Sequence, residues 1–97
     1  MATYIMHATF TDQGILNVKD ITKRAETFKQ LAKSAGVSVR DIYWTLGHYD
    51  IVTIAEAPDD IVVTALALSL AKAGNVRTQT LRAFSQADMD TILSKVV

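Results

Sequence analysis

Residues 37–56 read VSVRDIYWTLGHYDIVTIAE. Two runs rich in β-branched and aromatic residues, Val37 to Leu46 and Ile51 to Glu56, flank the short Gly-containing link Gly47-His48-Tyr49-Asp50. Such runs suit a pleated, half-buried surface, and a link this short joins only antiparallel neighbours, so the stretch predicts a hairpin. Within the first run the apolar phase shifts from Val37 and Val39 to Ile42, Trp44 and Leu46. One extra residue moves a strand's side chains to the other face, which places a bulge near Arg40-Asp41.

On the N-terminal side, Thr3 to Phe10 alternates, with Tyr4, Met6, Ala8 and Phe10 on an apolar face and Thr3, Ile5, His7 and Thr9 on a mixed one. This is a strand by its period of two. Thr11-Asp12-Gln13-Gly14 breaks the alternation and opens a short irregular stretch. Thr22 then stands as the cap of a helix with apolar residues at Ala25, Phe28, Leu31, Ala32 and Ala35, closed by Gly36. Its outer face carries Lys23, Arg24, Lys29 and Lys33 against Glu26, which reads as a solvated face.

On the C-terminal side, Pro58-Asp59-Asp60 starts a helix with negative charge in its first turn, where the macrodipole favours it. That helix is expected to run to about Ala73 and stop at Gly74. Asn75 to Phe84 follows as a fourth strand, and Ser85-Gln86-Ala87-Asp88 resembles a capping box ahead of a last helix striped by Met89, Ile92, Leu93 and Val96. The order predicts an α+β fold: a ferredoxin-like βαββαβ sandwich over residues 1–97 with an additional C-terminal helix.

A sandwich of this kind leaves one sheet face open, and two features predict that another subunit covers it. No charged residue occurs from Ile61 to Ala71 on any side of the third-quarter helix. A helix packed on one sheet alone shows a polar stripe. The open face, read as Ile5, Tyr43 and Ile51 among Thr9, Thr45 and Thr53, is too apolar for plain exposure. A homo-oligomer, dimeric or higher, is expected.

Composition narrows the partners. Among 97 residues, 10 Lys+Arg balance 10 Asp+Glu, so the chain lacks the cationic excess from which affinity for phosphate backbones and anionic membranes is built. Neither nucleic acid nor membrane is an expected partner. Met1 to Phe10 reads as a strand and not as a signal peptide. The longest apolar-rich run, Ile61 to Ala73, is short of the roughly 20 residues that span a bilayer. With no Cys there is no thiol nucleophile and no cysteine-ligated metal, which suits a reducing compartment, and cytoplasm is the expected location.

The stretch Ile42-Tyr43-Trp44-Thr45-Leu46-Gly47-His48-Tyr49-Asp50-Ile51-Val52 resembles the signature of the GYD-domain family, named for a Gly, a Tyr and an Asp at this spacing. Phe10-Thr11-Asp12-Gln13-Gly14, Lys23-Arg24-Ala25-Glu26, Glu56-Ala57-Pro58-Asp59-Asp60 and Asn75 to Phe84 also look like that family, in the same order. The resemblance covers nearly the whole chain. It implies a ferredoxin-like or dimeric α/β-barrel domain and carries no established activity.

Six residues are candidates for binding a ligand: His7, Tyr43, His48, Tyr49, Asp50 and Arg77. Gly47, Tyr49 and Asp50 have a structural account, in which Gly takes a positive φ, Tyr packs its ring and Asp bonds turn amides. In the functional account a phenol, a carboxylate and the His48 imidazole exchange a proton with a ligand at a pocket mouth. His7 lies on the mixed face of its strand. If the strand is regular, Tyr43 and Trp44 point opposite ways, which sends Trp44 to the core and leaves Tyr43 with His7. Arg77 and Arg82 likewise face apart, and either an anion or an ion pair at the rim would employ them.

Two distant histidines make no metal site, and no Gly-rich phosphate loop or Gly-x-Ser-x-Gly elbow occurs. No cofactor is expected. The leading expectation is a small oligomeric domain that binds or senses an apolar or aromatic small molecule on the open sheet face. The alternatives are a small cofactor-free or haem-assisted monooxygenase or isomerase, and an assembly protein without a pocket.

Overall fold

In the computed structural model, which describes Met1–Val97, alternation in β1 (Ala2–Phe10) decides the layering. Tyr4, Met6 and Ala8 are buried, while Ile5 and His7 between them are half-buried on the opposite face. β2 (Ser38–Trp44) and β3 (Ile51–Ala57) form the expected hairpin, and β4 (Val76–Ala83) pairs with β1 on its other side. The sheet order is β2-β3-β1-β4 with every neighbouring pair antiparallel, the ferredoxin-like arrangement. The sheet is open and does not close into a barrel.

The bulge falls between Val39 and Asp41, so Arg40 is the extra residue. Past it, Ile42 and Trp44 share the helix-facing side with Thr53 and Ile51, their partners across the ladder. The open face therefore carries Val52 and Ile54, not the Ile51 and Thr53 expected there: Ile51 pairs with Ala8 and Thr53 with Met6, both on the helix side. Trp44 keeps its expected phase but is 44% exposed, at a rim and not within the core.

Thr11 does more than break the first strand. Its hydroxyl accepts from Gly14 N (3.1 Å) and donates to Gly74 O (2.5 Å), capping a short helix, α1 (Asp12–Leu16), where an irregular stretch was expected. A 3₁₀ turn, Val18–Asp20, leads directly into α2 (Ile21–Ser34), so Asp20 occupies the cap position and Thr22 lies within the first turn. α2 buries Phe28 and Ala32 and ends at Gly36, whose φ is +81°.

Asp59 caps α3 (Asp60–Ala71) through Val62 N at 2.9 Å, and α3 buries Val63, Leu66 and Ala67. Together α2 and α3 close the core on one face of the sheet, around Tyr4, Met6, Ala55 and Ala57. α4 (Gln86–Ser94) begins with the expected capping box, Ser85 and Asp88 each accepting from the other's backbone N–H at 3.1 Å. It ends before Val96, so the expected stripe is shortened, and it buries nothing: Met89 and Leu93 are exposed.

The chain is extended for its size. Only 14 of 97 residues are buried, and the accessible surface is 6668 Å². Surface scaling gives about 5,500 Å² for a compact monomer of this mass. The Cα radius of gyration is 14.6 Å, against about 12.5 Å for a compact chain of this length.

Candidate functional site

Across the open face, Tyr43, Val52, His7 and Gln79 occupy one row of the sheet, each opposite the next. The adjacent row is Asp41, Ile54, Ile5 and Leu81. No helix buries a side chain against either row, and Tyr43 is 56% exposed. The alternation of each strand sets this composition, since every second residue of β1, β3 and β4 must point away from the helices.

The hairpin link folds back onto this face. Gly47 has φ +105°, a conformation that L side chains rarely adopt, and the turn is closed by Thr45 N to Asp50 O (2.8 Å) and the Thr45 hydroxyl to Tyr49 O (2.6 Å). Tyr49 then lays its ring over His7, with centroids 4.1 Å apart and planes tilted by 33°. Its hydroxyl donates to Gln79 Oε1 at 3.0 Å. Beneath this stack, His7 Nδ1 is buried without a hydrogen-bond partner.

Asp50 turns the other way. Its Oδ2 accepts from Phe10 N at 2.8 Å, a strand amide and not one of the turn amides expected from the sequence. Of the six candidates, His7, Tyr43 and Tyr49 share the open face, and of these His7 and Tyr49 are in contact. Arg77 shares that face further along β4, opposite Thr9, exposed and in neither of the two ion pairs, Lys29–Glu26 and Arg40–Glu56. His48 is exposed at the turn, and Asp50 serves the backbone. Tyr49, Asp50 and His48 therefore do not converge on one point.

Gln79 and Val52 are members of the row that the sequence reading did not single out. Counting by twos from Arg77 along β4 reaches Gln79, and that was the available signal. No group of three His, Cys, Asp or Glu side chains is placed to hold a metal. An apolar cavity of about 240 Å³ lies on the opposite side of the sheet, between it and α2 and α3.

These features coincide with a known family: the GYD domain model matches residues 4–93. The chain belongs to the GYD-domain family. A relative from Thermus thermophilus, named glutamine synthetase and cystathionine beta-lyase binding protein, is 39% identical over 90 residues, covering 92% of this chain and 95% of its own. In this GYD domain the Gly, Tyr and Asp of the signature correspond to three separate tasks: Gly47 makes the turn, Tyr49 covers His7, and Asp50 ties the turn to β1.

Proposed function

We propose that this GYD domain is a cytoplasmic protein-binding module: it assembles with copies of itself through the open sheet face, and the assembly docks on an enzyme of amino-acid metabolism. The surface excess carries the reading. The chain exposes roughly 1,200 Å² more than a compact monomer of its mass. A standard protein interface removes about 800 Å² from each partner, so the excess is of the size that one contact absorbs. Ile5, Val52, Ile54 and Leu81 supply the apolar centre of such a contact, with Tyr43 as an aromatic anchor.

The likeness to the Thermus binding protein supports the second step and the class of partner. α4 suits docking on an enzyme, because its exposed Met89 and Leu93 stand four residues apart, the spacing by which an amphipathic helix enters a groove.

Native mass spectrometry of the chain, alone and with glutamine synthetase or cystathionine β-lyase, tests both steps. Val52→Glu should give a monomer, because it places a charge at the centre of the sheet contact. Leu93→Glu should leave the oligomer intact and lose the enzyme. A wild-type monomer would overturn the self-assembly step, and a wild-type oligomer that captures neither enzyme would overturn the docking step.

A second reading has its own observation. The unpartnered His7 Nδ1 beneath Tyr49 puts an unsatisfied polar group beside Val52, which would suit an apolar or aromatic small molecule held on the open face. Extra mass retained on the oligomer in the same spectra, lost in His7→Ala, would favour it.

A further inference from the structure

We propose that the cavity on the helix side of the sheet binds a small aromatic carboxylate, its ring between Phe28 and Trp44 and its carboxylate on Arg24. This inference goes beyond the protein-binding reading of the open face and does not rest on it. The cavity measures about 240 Å³, and 13 of its 18 lining residues are hydrophobic. An apolar cavity of about 150 Å³ already stays dry and takes benzene, so this one has room for a ring with a short side chain. Its walls come from both layers, Met6 and Ile42 from the sheet and Phe28 and Leu31 from α2, which makes it a recess inside the sandwich and not a surface dimple.

Charge selects the ligand's other end. Arg24 is the one charged residue that lines the cavity. It stands one turn before Phe28 on α2, and its Nη1 donates to Asn17 O at 2.7 Å. Neither ion pair of the chain uses it. The guanidinium therefore keeps free donors beside an apolar recess with no acidic neighbour in the lining, an arrangement that accepts a carboxylate and repels an amine. Thr53, the buried polar side chain of the core, lies among the lining residues. Trp44 and Leu31, 44% and 42% exposed, hold apolar surface at this recess that an aromatic guest would cover.

Trp44 is the single tryptophan of the chain and lines the cavity, so its fluorescence reports events at the recess. The purified full chain would be titrated with 3-phenylpropionate, with 3-phenylpropionamide as the neutral analogue and phenethylamine as the cationic one. The expected result is a saturable change with the carboxylate, at least ten-fold weaker binding of the amide and no response to the amine. Arg24→Gln should bring the carboxylate down to the amide's affinity. Because Arg24→Gln can also loosen α2, methyl and amide chemical shifts of the wild type provide the second readout: Leu31, Ile42 and Met6 should move and Val52 and Ile54 should not. Equal affinity for acid and amide, shifts centred on the open face, or no saturable response to millimolar probe would each overturn the proposal. So would a Trp44 emission that depends on protein concentration without probe, since that would mean a second copy fills the recess. None of these outcomes bears on capture of the enzyme by α4.

Discussion

Asp50 Oδ2 accepts a 2.8 Å hydrogen bond from Phe10 N, across 40 residues of sequence, while Asp50 N donates to Ala8 O at 2.9 Å. The hairpin turn is thereby fastened to the end of β1, and Tyr49, one residue earlier, is carried over His7. A carboxylate bound to a half-buried amide is a charge-assisted contact, and its removal leaves that amide without an acceptor. Asp50→Ala should cost about 1–3 kcal/mol in urea unfolding with an unchanged denaturant slope, and Asp50→Asn, which keeps an acceptor oxygen, should cost less.

Gly14 is a site where any side chain collides with backbone. A Cβ there would sit 2.0 Å from Asn75 O, the same carbonyl that accepts from Thr11 N. The clash pushes α1 away from the start of β4, so Gly14→Ala should destabilise by at least the ~1–3 kcal/mol of ordinary overpacking. At Gly36 a Cβ meets nothing within 4 Å and only the φ of +81° opposes substitution, so Gly36→Ala should cost about 1–2 kcal/mol. Thermal melts of the two variants should rank them in that order.

At alkaline pH the Tyr4 hydroxyl should ionise late. Its hydrogen bond to Asp60 Oδ1 (2.5 Å) raises its pKa above the ordinary 10.0, with burial and the Asp60 charge adding to the shift against the Arg82 guanidinium. A group whose folded pKa is raised stabilises the fold fully below its unfolded value, and the contribution disappears as pH rises through the folded one. Absorbance at 295 nm should show a phase above the ordinary tyrosine range, with stability falling only above about pH 10. In Tyr4→Phe the late phase should be missing.

In acid the last helix should fray before the body unfolds. Backbone and side-chain hydrogen bonds from Ser85 hold the Asp88 carboxyl below its ordinary 3.8. A depressed folded pKa means that the stabilisation is present above 3.8 and is lost as pH falls through the lower, folded value. Protection of the Gln86 to Met89 amides, relative to their intrinsic exchange rates, should fall in that range while the β1 and β3 amides stay protected. Asp88→Asn should show the lower protection already at neutral pH.

Much of the architecture follows from local chemistry along the chain. Alternation in Thr3 to Phe10, the Gly-containing link after Leu46, Gly36 and Gly74 as helix ends, and the Ser85–Asp88 box each state their structure within a few residues, because hydrogen bonding and φ preference act at that range. The bulge was legible too, since a shift of apolar phase in Val37 to Leu46 is a local signal.

Relations between distant segments depended on register and packing. Whether Ile51 or Val52 meets the helices depends on which β1 residue lies opposite, and pairing with Ala8 put Ile51 inside. Thr11 became a cap because Gly74 and Asn75 arrive beside it from the far end of α3, 63 residues away for the first of them. The stack of Tyr49 on His7, the turning of Asp50 toward Phe10 and the recess beside Arg24 likewise exist only once three strands and two helices are assembled. Local sequence thus determined the elements and their faces, whereas tertiary structure decided which side chains meet, because contact between residues far apart in the chain is set by the register of the sheet and the seating of the helices on it.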